Sequence, residues 1–389
     1  MKKIHLFLAV FGGFGLLVFG VGFVVVGASF GRHFAEFAEA AYSFDTFSAR
    51  PPIHVLDSAT TVPQGLSPSA IKKIYNLPAS GGSGTIAIIA AYHDATIEND
   101  LAVFDAQFGV AQCTTKNKCF IRHAMSANTK FDSGWSLETS LDVEWAHAIA
   151  PAAKILLVEA VTSSGKNLLA AIAYARAQKD VVAISMSWGG DEFADEVSLD
   201  SHFTPVVGGN PNVTFFASSG DDGAGVSWPA VSPNVVAVGG TGLVMRGGKL
   251  SSEHAWQGSG GGVSLYEPQP QYQADYSIPK AGHMRAVPDV AYDADPSSGF
   301  AVFKTTGTAG RGWYTVGGTS AGTPQWAGIA ALGHSASNAK FYADKSSASA
   351  GSYFRDIVSG ANGDCAYFCT ARKRYDYVTG LGSPLTVNF

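Results

Sequence analysis

The segment AKILLVEAVTSSGKNLLAAIAYARAQKDVVAISMSW (153–188) decides the fold class. It begins and ends with short apolar runs rich in Val, Ile and Leu, as expected for strands that are buried on both faces. Between them, KNLLAAIAYARAQ (166–178) has the apolar spacing of an amphipathic helix. A strand, a helix and a second strand in this order predict neighbouring strands of a parallel sheet.

The same alternation continues on both sides of this unit. We predict apolar strands at 84–92, 213–219 and 234–240, and helices at 98–109 and 321–334. The expected fold class is therefore α/β, a mainly parallel sheet flanked by helices on both faces. The 389 residues, 46% of them hydrophobic, suffice for one large core. A net charge of −5 without a long basic run argues against a nucleic-acid partner.

Residues 1–29 differ from the rest of the chain. Two lysines precede an apolar run over 4–30, which is long enough for a signal peptide or for a membrane anchor. In both cases the body of the protein is expected on the outer side of a membrane, so we predict export. Residues 30–65 contain proline and show no clear period, which favours a linker or a short pro-segment. Residues 66–389 are predicted to form one domain.

The four cysteines form two close pairs along the chain. Cys113 and Cys119 make one pair, and Cys365 and Cys369 make the other. This spacing favours two small disulfide-closed loops in an oxidising compartment, in agreement with export. A single zinc site built from both pairs would need tighter, CxxC-like spacing, so disulfides are the preferred interpretation.

Two acids, Glu138 and Asp142, lie four residues apart in the apolar segment LETSLDVEWAHAIAP (137–151). A helix from about Ser136 to Ala150 places their side chains one above the other. Desolvation and mutual repulsion should then raise the pKa of at least one of them. Two solvated acids on an exposed face are the usual explanation of such a pair, but the apolar surroundings favour acid–base chemistry.

A second signal is TVGGTSAGTPQWAG (315–328), where a strand leads through paired glycines to Ser320 at the start of a helix. The free N–H groups of a helix N-terminus favour the negative charge of an oxyanion. A helix-capping serine is the structural alternative, but the neighbouring glycines leave room for a substrate. Chain order excludes an α/β-hydrolase triad, because the only later histidine precedes every later aspartate.

Two sets of residues could activate this serine. Asp94 and His147 have the chain order of a subtilisin-like triad, yet His147 is turned about 180° away from Glu138 on the helix. In the other set, Glu138 removes the hydroxyl proton, and Asp142 orients Glu138 and shares that proton. Asp221, which follows a buried strand and a glycine, would stabilise the oxyanion as a protonated acid. Such a set works only at low pH, which predicts an acid-active hydrolase.

The chain resembles the sedolisin family of serine-carboxyl peptidases over residues 66–389. Seven segments carry the resemblance in order, namely ETSLDVEWAHAIAPAAKI (138–155), VVAISMSWGG (181–190), ASSGDDGAG (217–225), GSGGGVS (258–264), RAVPDVAYD (285–293), GGTSAGTPQWAG (317–328) and FRDIVSG with YDYVTGLGSP (354–384). The coincidence of these segments is specific, whereas each alone is weak.

The resemblance implies a subtilisin-like fold and a serine-type peptidase. It assigns Ser320 as nucleophile, Glu138 as base, Asp142 as the partner of that base, and Asp221 to the oxyanion hole. It also places three residues along the substrate cleft, namely Trp188, Gly189 and Gly190. A tryptophan buried at the end of a strand is an equal alternative for the first of these.

The resemblance further implies one structural calcium ion near the C-terminus. Its ligands would be the carboxylates of Asp356 and Asp376 and the backbone oxygens of Ile357, Arg372 and Arg374. Oxygen atoms of these kinds are the ligands that calcium selects. The family usually has glycine at the two arginine positions, so the chain departs from the pattern there.

We expect a monomeric endopeptidase that acts on protein or peptide substrates. A tripeptidyl-type aminopeptidase and a non-catalytic, exported binding protein of the same fold are the alternatives. Sedolisins usually carry a long N-terminal pro-domain, whereas here residues 30–65 alone separate the apolar run from the predicted catalytic domain.

Overall fold

The computed structural model describes residues 43–306, 310–333, 336–343 and 353–389. The N-terminal apolar run lies outside these ranges, and with it the predicted signal peptide or anchor. Within the described ranges, no helix has the length and apolar character needed to cross a membrane.

The central sheet is mainly parallel, as predicted. In chain order the strands of the described ranges are β1 His54–Val55, β2 Thr85–Ala91, β3 Phe120–Ala124, β4 Lys154–Ala160, β5 Val181–Met186, β6 Gly190–Asp191, β7 Thr214–Ser218, β8 Ser227–Trp228, β9 Val235–Arg246, β10 Lys249–Ala255, β11 Gly262–Pro268, β12 Met284–Val287, β13 Val290–Asp293, β14 Phe300–Lys304, β15 Gly312–Gly317, β16 Phe354–Arg355 and β17 Ser383–Pro384. The central sheet has the order β10-β9-β7-β5-β2-β4-β3, and β13 also pairs with β9. Of these pairings, β9 with β10 is antiparallel and the others are parallel.

Helices cover the sheet on both sides. The α-helices of the described ranges are α1 Pro68–Ile74, α2 Ile97–Phe108, α3 Ser133–Ile149, α4 Gly165–Arg176, α5 Gln271–Tyr276, α6 Thr319–Gly333 and α7 Asn338–Ala343, and the 3₁₀ helices are Glu196–Phe203, Pro296–Ser298 and Ala366–Cys369. Helix α3 begins three residues earlier than predicted, because the Asp132 side chain accepts hydrogen bonds from the backbone N–H groups of Gly134 and Trp135 and caps its first turn.

The two faces of the sheet contribute to separate hydrophobic cores. Every residue of β2 is buried. Ile86 and Ile88 belong to the core that contains α2, α3 and α6, whereas Ala87 and Ile89 belong to the core that contains α4. Because side chains alternate between the faces of a strand, a continuous apolar run is the sequence pattern of a strand covered on both sides.

Helices α3 and α6 pack directly against each other. A Cβ atom on Gly328 of α6 would lie 2.8 Å from the Cβ of Ile149 on α3, which is closer than two carbon atoms can pack. The glycine therefore permits the close approach of the two helices that carry Glu138 and Ser320.

The segment before the predicted domain pairs with the body of the protein. Strand β1 is hydrogen-bonded to β15, and the Leu66 N–H donates to the Gly299 oxygen at 2.8 Å. These contacts are made by the backbone, so they leave no side-chain period from which the pairing could be predicted. The structure also joins the two cysteine pairs as disulfides, Cys113 with Cys119 and Cys365 with Cys369.

Candidate active site

The two predicted acids of α3 are buried next to each other. Glu138 and Asp142 are each 1% exposed. Asp142 Oδ1 accepts a hydrogen bond from Ser187 Oγ at 2.5 Å. Among the described residues, the two Glu138 oxygens and Asp142 Oδ2 have no hydrogen-bond donor. Three buried oxygens without a donor are costly, and a proton held between the two carboxyl groups removes most of that cost.

The environment favours protonation of this pair. Burial raises the pKa of Glu138 well above its usual range, the charge of Asp142 raises it further, and the Ser320 hydroxyl lowers it as a hydrogen-bond donor. Burial likewise raises the pKa of Asp142 well above its usual range, and the Ser187 hydroxyl opposes this. The pair therefore titrates as a unit, and between its two proton losses it holds one proton and one negative charge.

Ser320 lies in the first turn of α6 and is fully buried. The Ser320 hydroxyl donates a hydrogen bond to the backbone oxygen of Ser187. Its length of 3.4 Å makes this hydrogen bond weak. The contact between the Ser320 hydroxyl and the Glu138 carboxyl does not have the distance and angles of a hydrogen bond, although it lowers the pKa of Glu138. The Ser320 hydroxyl hydrogen can rotate toward either acceptor, so Glu138 remains within reach of it.

Asp221 approaches the same helix end from the carboxyl end of β7. Its Oδ1 accepts hydrogen bonds from the Thr319 N–H at 2.8 Å and from Thr319 Oγ1 at 2.7 Å. Gly220 precedes it with a φ of 108°, a backbone conformation that favours glycine. Burial raises the pKa of Asp221, while hydrogen bonds from His54 and Thr319 lower it. The structure thus brings all four predicted catalytic residues to one place.

Sequence reasoning missed three residues of this site. Ser187 and Thr319 adjoin residues that were singled out, and a search for hydroxyl groups beside them could have found both. His54 gave no signal, yet its Nε2 lies 3.1 Å from Asp221 Oδ2. The hydrogen bond to Asp221 raises the pKa of His54, against the opposing effect of burial.

The alternative set with His147 is not assembled. His147 Nε2 lies 2.8 Å from the backbone oxygen of Ala111, on the side of α3 that faces away from the serine. Asp94 Oδ2 accepts a hydrogen bond from the buried Lys304 Nζ at 2.6 Å. Neither residue contacts the other or Ser320 in the hydrogen bonds of the described residues, so this chain order does not correspond to a triad.

A cleft next to Asp221 contains two of the three predicted substrate-binding residues. Gly189 and Gly190 line it. Trp188 is fully buried, and its Nε1 donates a hydrogen bond to the Ile89 oxygen at 3.0 Å. Trp188 is therefore a tryptophan buried at the end of a strand. It packs beneath the cleft, and its ring fills the core on the α4 side of the sheet.

The predicted calcium ligands lie around one loop near the C-terminus. Asp376 Oδ2 accepts the N–H of Arg372, and Asp356 Oδ2 accepts the N–H of Arg374, each at 3.0 Å. Among the described residues, no backbone N–H donates to the backbone oxygens of residues 357, 372 or 374. The guanidinium of Arg372 turns away and stacks on the Tyr367 ring. Two carboxylates and three unpaired carbonyl groups fit a calcium ion by donor type.

Comparison with known proteins identifies the family. The model of the subtilase family matches residues 123–350. Kumamolisin of Bacillus sp. is 29% identical over 91% of this chain and 70% of its own length. Sedolisin of Pseudomonas sp. is 28% identical over 82% of this chain and 60% of its own length. The chain belongs to the sedolisin family.

A solved structure of a sedolisin supports this membership. Pseudomonas sedolisin, described as a serine-carboxyl proteinase complexed with two molecules of pseudo-iodotyrostatin, superimposes with a TM-score of 0.69 at 28% identity, covering 83% of this chain and 96% of that one. The chain is accordingly a serine peptidase with a subtilisin-like fold, and the predicted fold class and enzyme class are confirmed.

Proposed function

We propose that this sedolisin-family chain is an acid-active endopeptidase that hydrolyses protein or peptide substrates through an acyl-enzyme on Ser320. The observation that supports this most directly is the buried pair Glu138 and Asp142, which packs against the first turn of α6. A non-catalytic binding protein would have no need for two adjacent, buried acids that face a serine.

In the proposed reaction, Ser320 Oγ attacks the substrate carbonyl carbon while Glu138 takes the hydroxyl proton. Asp142, protonated and fixed by Ser187, donates to Glu138 and spreads its charge. The oxyanion is stabilised by the Ser320 N–H and by protonated Asp221. Glu138 then protonates the leaving nitrogen, and water hydrolyses the acyl-enzyme with the same groups in the reverse order.

The proposal implies a restricted pH range. The acid pair must lose one proton before Glu138 can act as a base, and Asp221 must keep its proton to donate to the oxyanion. Because burial raises the pKa of Asp221, the neutral acid persists to a higher pH than an exposed aspartate allows. The expected profile is bell-shaped, with its rising limb set by the pair and its falling limb set by Asp221.

Cleavage inside a chain is favoured over release of tripeptides by the course of the segment that lies in the cleft. Residues 47–50 pair with the loop at 163–165 and with Gly189, and the same segment continues to β15 beyond the serine. Release of tripeptides requires a cleft that is closed three residues before the cleaved bond, where it binds the free amino terminus. A cleft that accommodates a continuous chain on both sides of the serine has no such closed end.

We further propose that a calcium ion binds at the loop around Asp356 and Asp376. There it would supply positive charge that offsets the two carboxylates and would fix the loop for structural stability. Export, with the peptidase acting outside the cell or in the periplasm, remains our proposal from the predicted signal or anchor and from the two cysteine pairs.

The test is a pH–rate profile on a denatured protein substrate, measured for the wild type, Glu138→Gln and His147→Gln. The two variants change residues of the same helix. We expect a maximum on the acid side of neutrality, loss of activity in Glu138→Gln and a retained acidic maximum in His147→Gln. Circular dichroism of each variant checks that α3 is intact. A maximum at pH 7–8 that disappears in His147→Gln would overturn the proposal.

A further inference from the structure

The loop between α2 and β3 carries two cysteines that lie against a buried histidine of α3. Cys113 is fully buried and Cys119 is half-buried. Their sulfur atoms and a ring nitrogen of His147 all lie within 4.8 Å of one another. The ligand atoms of a tetrahedral zinc ion are about 3.3–3.8 Å apart, because Zn–S and Zn–N bonds are about 2.3 and 2.0–2.1 Å long. Movements of about 1 Å would therefore bring the three side chains around one metal ion.

The histidine has one ring nitrogen without a partner. His147 Nε2 lies 2.8 Å from the backbone oxygen of Ala111. A carbonyl oxygen can only accept a hydrogen bond, so Nε2 carries the hydrogen and Nδ1 keeps a lone pair. Among the described residues Nδ1 has no hydrogen-bond donor, although the imidazole is fully buried. An imidazole with one nitrogen fixed by a backbone carbonyl and the other bare has the arrangement of a metal ligand.

A carboxyl group lies beside the same ring. Asp105 of α2 is fully buried, and its Oδ2 accepts a hydrogen bond from the Cys113 N–H at 3.1 Å. Its Oδ1 lies 3.6 Å from His147 Nε2 and has no hydrogen-bond donor in the part of the chain that the structure describes. A second buried polar atom without a partner is costly, and a bound cation at this place would offset that cost.

Hydrogen bonds hold the two cysteines near each other independently of the disulfide. The side-chain oxygen of Asn117 accepts the N–H groups of Thr114 and Cys119, each at 3.0 Å. The Phe120 N–H donates to the Thr114 oxygen at 3.2 Å. The reduced loop should therefore keep its two thiols side by side, which lowers the entropy lost when both bind one metal ion.

We infer that Cys113, Cys119 and His147 bind one Zn²⁺ ion when the two cysteines are reduced, and that Asp105 positions them. Thiolate and imidazole ligands together select zinc. A dithiol supplies the two electrons that break the Cys113–Cys119 bond, and each sulfur takes a proton. Zn²⁺ then displaces both protons and binds the thiolates, with water in its fourth position.

The metal and the disulfide are alternative ways to close the same loop. The chain begins with free thiols, because the cytosol keeps cysteines reduced. On oxidation, two electrons pass from the thiolates to an oxidising disulfide, the Cys113–Cys119 bond forms and Zn²⁺ leaves. Until then zinc would fix the loop to α3, the helix that carries Glu138 and Asp142.

The experiment is a titration of the full chain with Co²⁺ at neutral pH, after reduction of the disulfides by a phosphine. Co²⁺ bound to thiolate has a charge-transfer absorption band that Co²⁺ bound to oxygen ligands lacks, so metal at the C-terminal loop does not contribute. We expect one Co²⁺ per reduced chain with this band, loss of the band when Zn²⁺ is added, and no band in the oxidised protein.

The second cysteine pair is the matched control. Cys365→Ser/Cys369→Ser should keep the band, because among the described residues no histidine or acid completes such a group with that pair. Cys113→Ser/Cys119→Ser should lose it. A reduced wild type without the band, or a band that persists in Cys113→Ser/Cys119→Ser, would overturn the inference.

Two further variants test the other members of the site. His147→Gln should weaken Co²⁺ binding at least tenfold, and Asp105→Asn should weaken it about 10- to 100-fold, while their oxidised forms keep the circular dichroism of the wild type. Unchanged affinity in His147→Gln refutes the site. If reduction alone unfolds the chain, Zn²⁺ has to restore the native circular dichroism, and failure to do so also refutes it. These readouts do not use peptidase activity, so the proposed function stands or falls separately.

Discussion

Asp221 is the residue whose protonation state matters most to the proposed chemistry. Its Oδ1 is held by two donors from Thr319, so its Oδ2 is the oxygen left to face the cleft. An ionised Oδ2 would repel an oxyanion, whereas a protonated Oδ2 would donate to it. The contact with His54 favours the ionised form of Asp221, because a charged imidazole stabilises the carboxylate.

Asp221→Asn should separate hydrogen bonding from titration. An asparagine amide donates at every pH, so we expect the falling limb of the pH–rate profile to move to higher pH. Asp221→Ala removes the donor and should lower kcat by about 100- to 1000-fold.

The matched control is Asp222→Asn, which neutralises the exposed neighbouring carboxylate and should leave the falling limb in place. An unchanged limb in Asp221→Asn would show that another group sets it.

At the scale of elements, the site depends on how closely α3 approaches α6. Gly328 allows this approach, and the same two helices carry the acids and the serine. The distance between base and nucleophile is therefore set by packing at the opposite ends of the helices as much as by the site itself.

Gly328→Ala should force the two helices apart. Overpacking of this kind costs about 1–3 kcal/mol of unfolding free energy, measured by urea denaturation, and should also lower kcat. Gly134→Ala is the matched control in the first turn of α3, where an added Cβ meets nothing closer than 3.5 Å. It should be neutral or slightly stabilising, because alanine favours helix. Equal stability losses in both variants would contradict the packing argument.

The elements differ in how well the sequence predicts them. Strands β2, β4 and β5 follow from continuous apolar runs, and the pair Glu138 and Asp142 follows from helical spacing. The start of α3 does not, because Gly134 argues against a helix and the Asp132 cap is a local side-chain contact. The position of residues 47–50 in the cleft could not be predicted at all, since backbone pairing between distant residues leaves no pattern in either stretch.

The whole molecule contains a second group of buried acids outside the four predicted catalytic residues. Glu196 and Glu267 are fully buried. Burial and the neighbouring Glu192 raise the pKa of Glu196 to about 10. Burial and the neighbouring Asp200 raise the pKa of Glu267 to about 8. The folded state therefore holds protons that the unfolded state, with ordinary glutamates, releases near pH 4.5.

The unfolding free energy should fall as the pH rises. The protonated acids contribute their full share of the unfolding free energy below about pH 4.5. This contribution is lost as the pH rises through about 8 for Glu267 and about 10 for Glu196. Each extra proton held by the folded state lowers the unfolding free energy by about 1.4 kcal/mol for every pH unit of this range. Urea unfolding at several pH values measures the slope.

Glu267→Gln should flatten this dependence, since the amide has no proton to lose. The control is Asp364→Asn, which changes an exposed acid. The same slope in the wild type and in Glu267→Gln would exclude this group as a source of the effect.

Calcium should stabilise the whole molecule through the C-terminal loop. At a free concentration 100 times the Kd, binding adds about 2.7 kcal/mol to the unfolding free energy. We expect the Tm to rise with added Ca²⁺ and to fall with a chelator. Asp376→Asn should lose this response, and Mg²⁺ should not replace Ca²⁺. A Tm indifferent to both additions would argue against the site.

Phe47 stacks edge-on against Trp228 with ring centroids 4.8 Å apart, and it also contacts Phe193 at 5.7 Å. Phe44 contacts the same two rings, so the four side chains form one aromatic cluster. These ring contacts add to the backbone pairing that holds residues 47–50 in the cleft. Phe47→Ala should therefore lower the KM for an added protein substrate, because the segment that occupies the same path is then held less tightly.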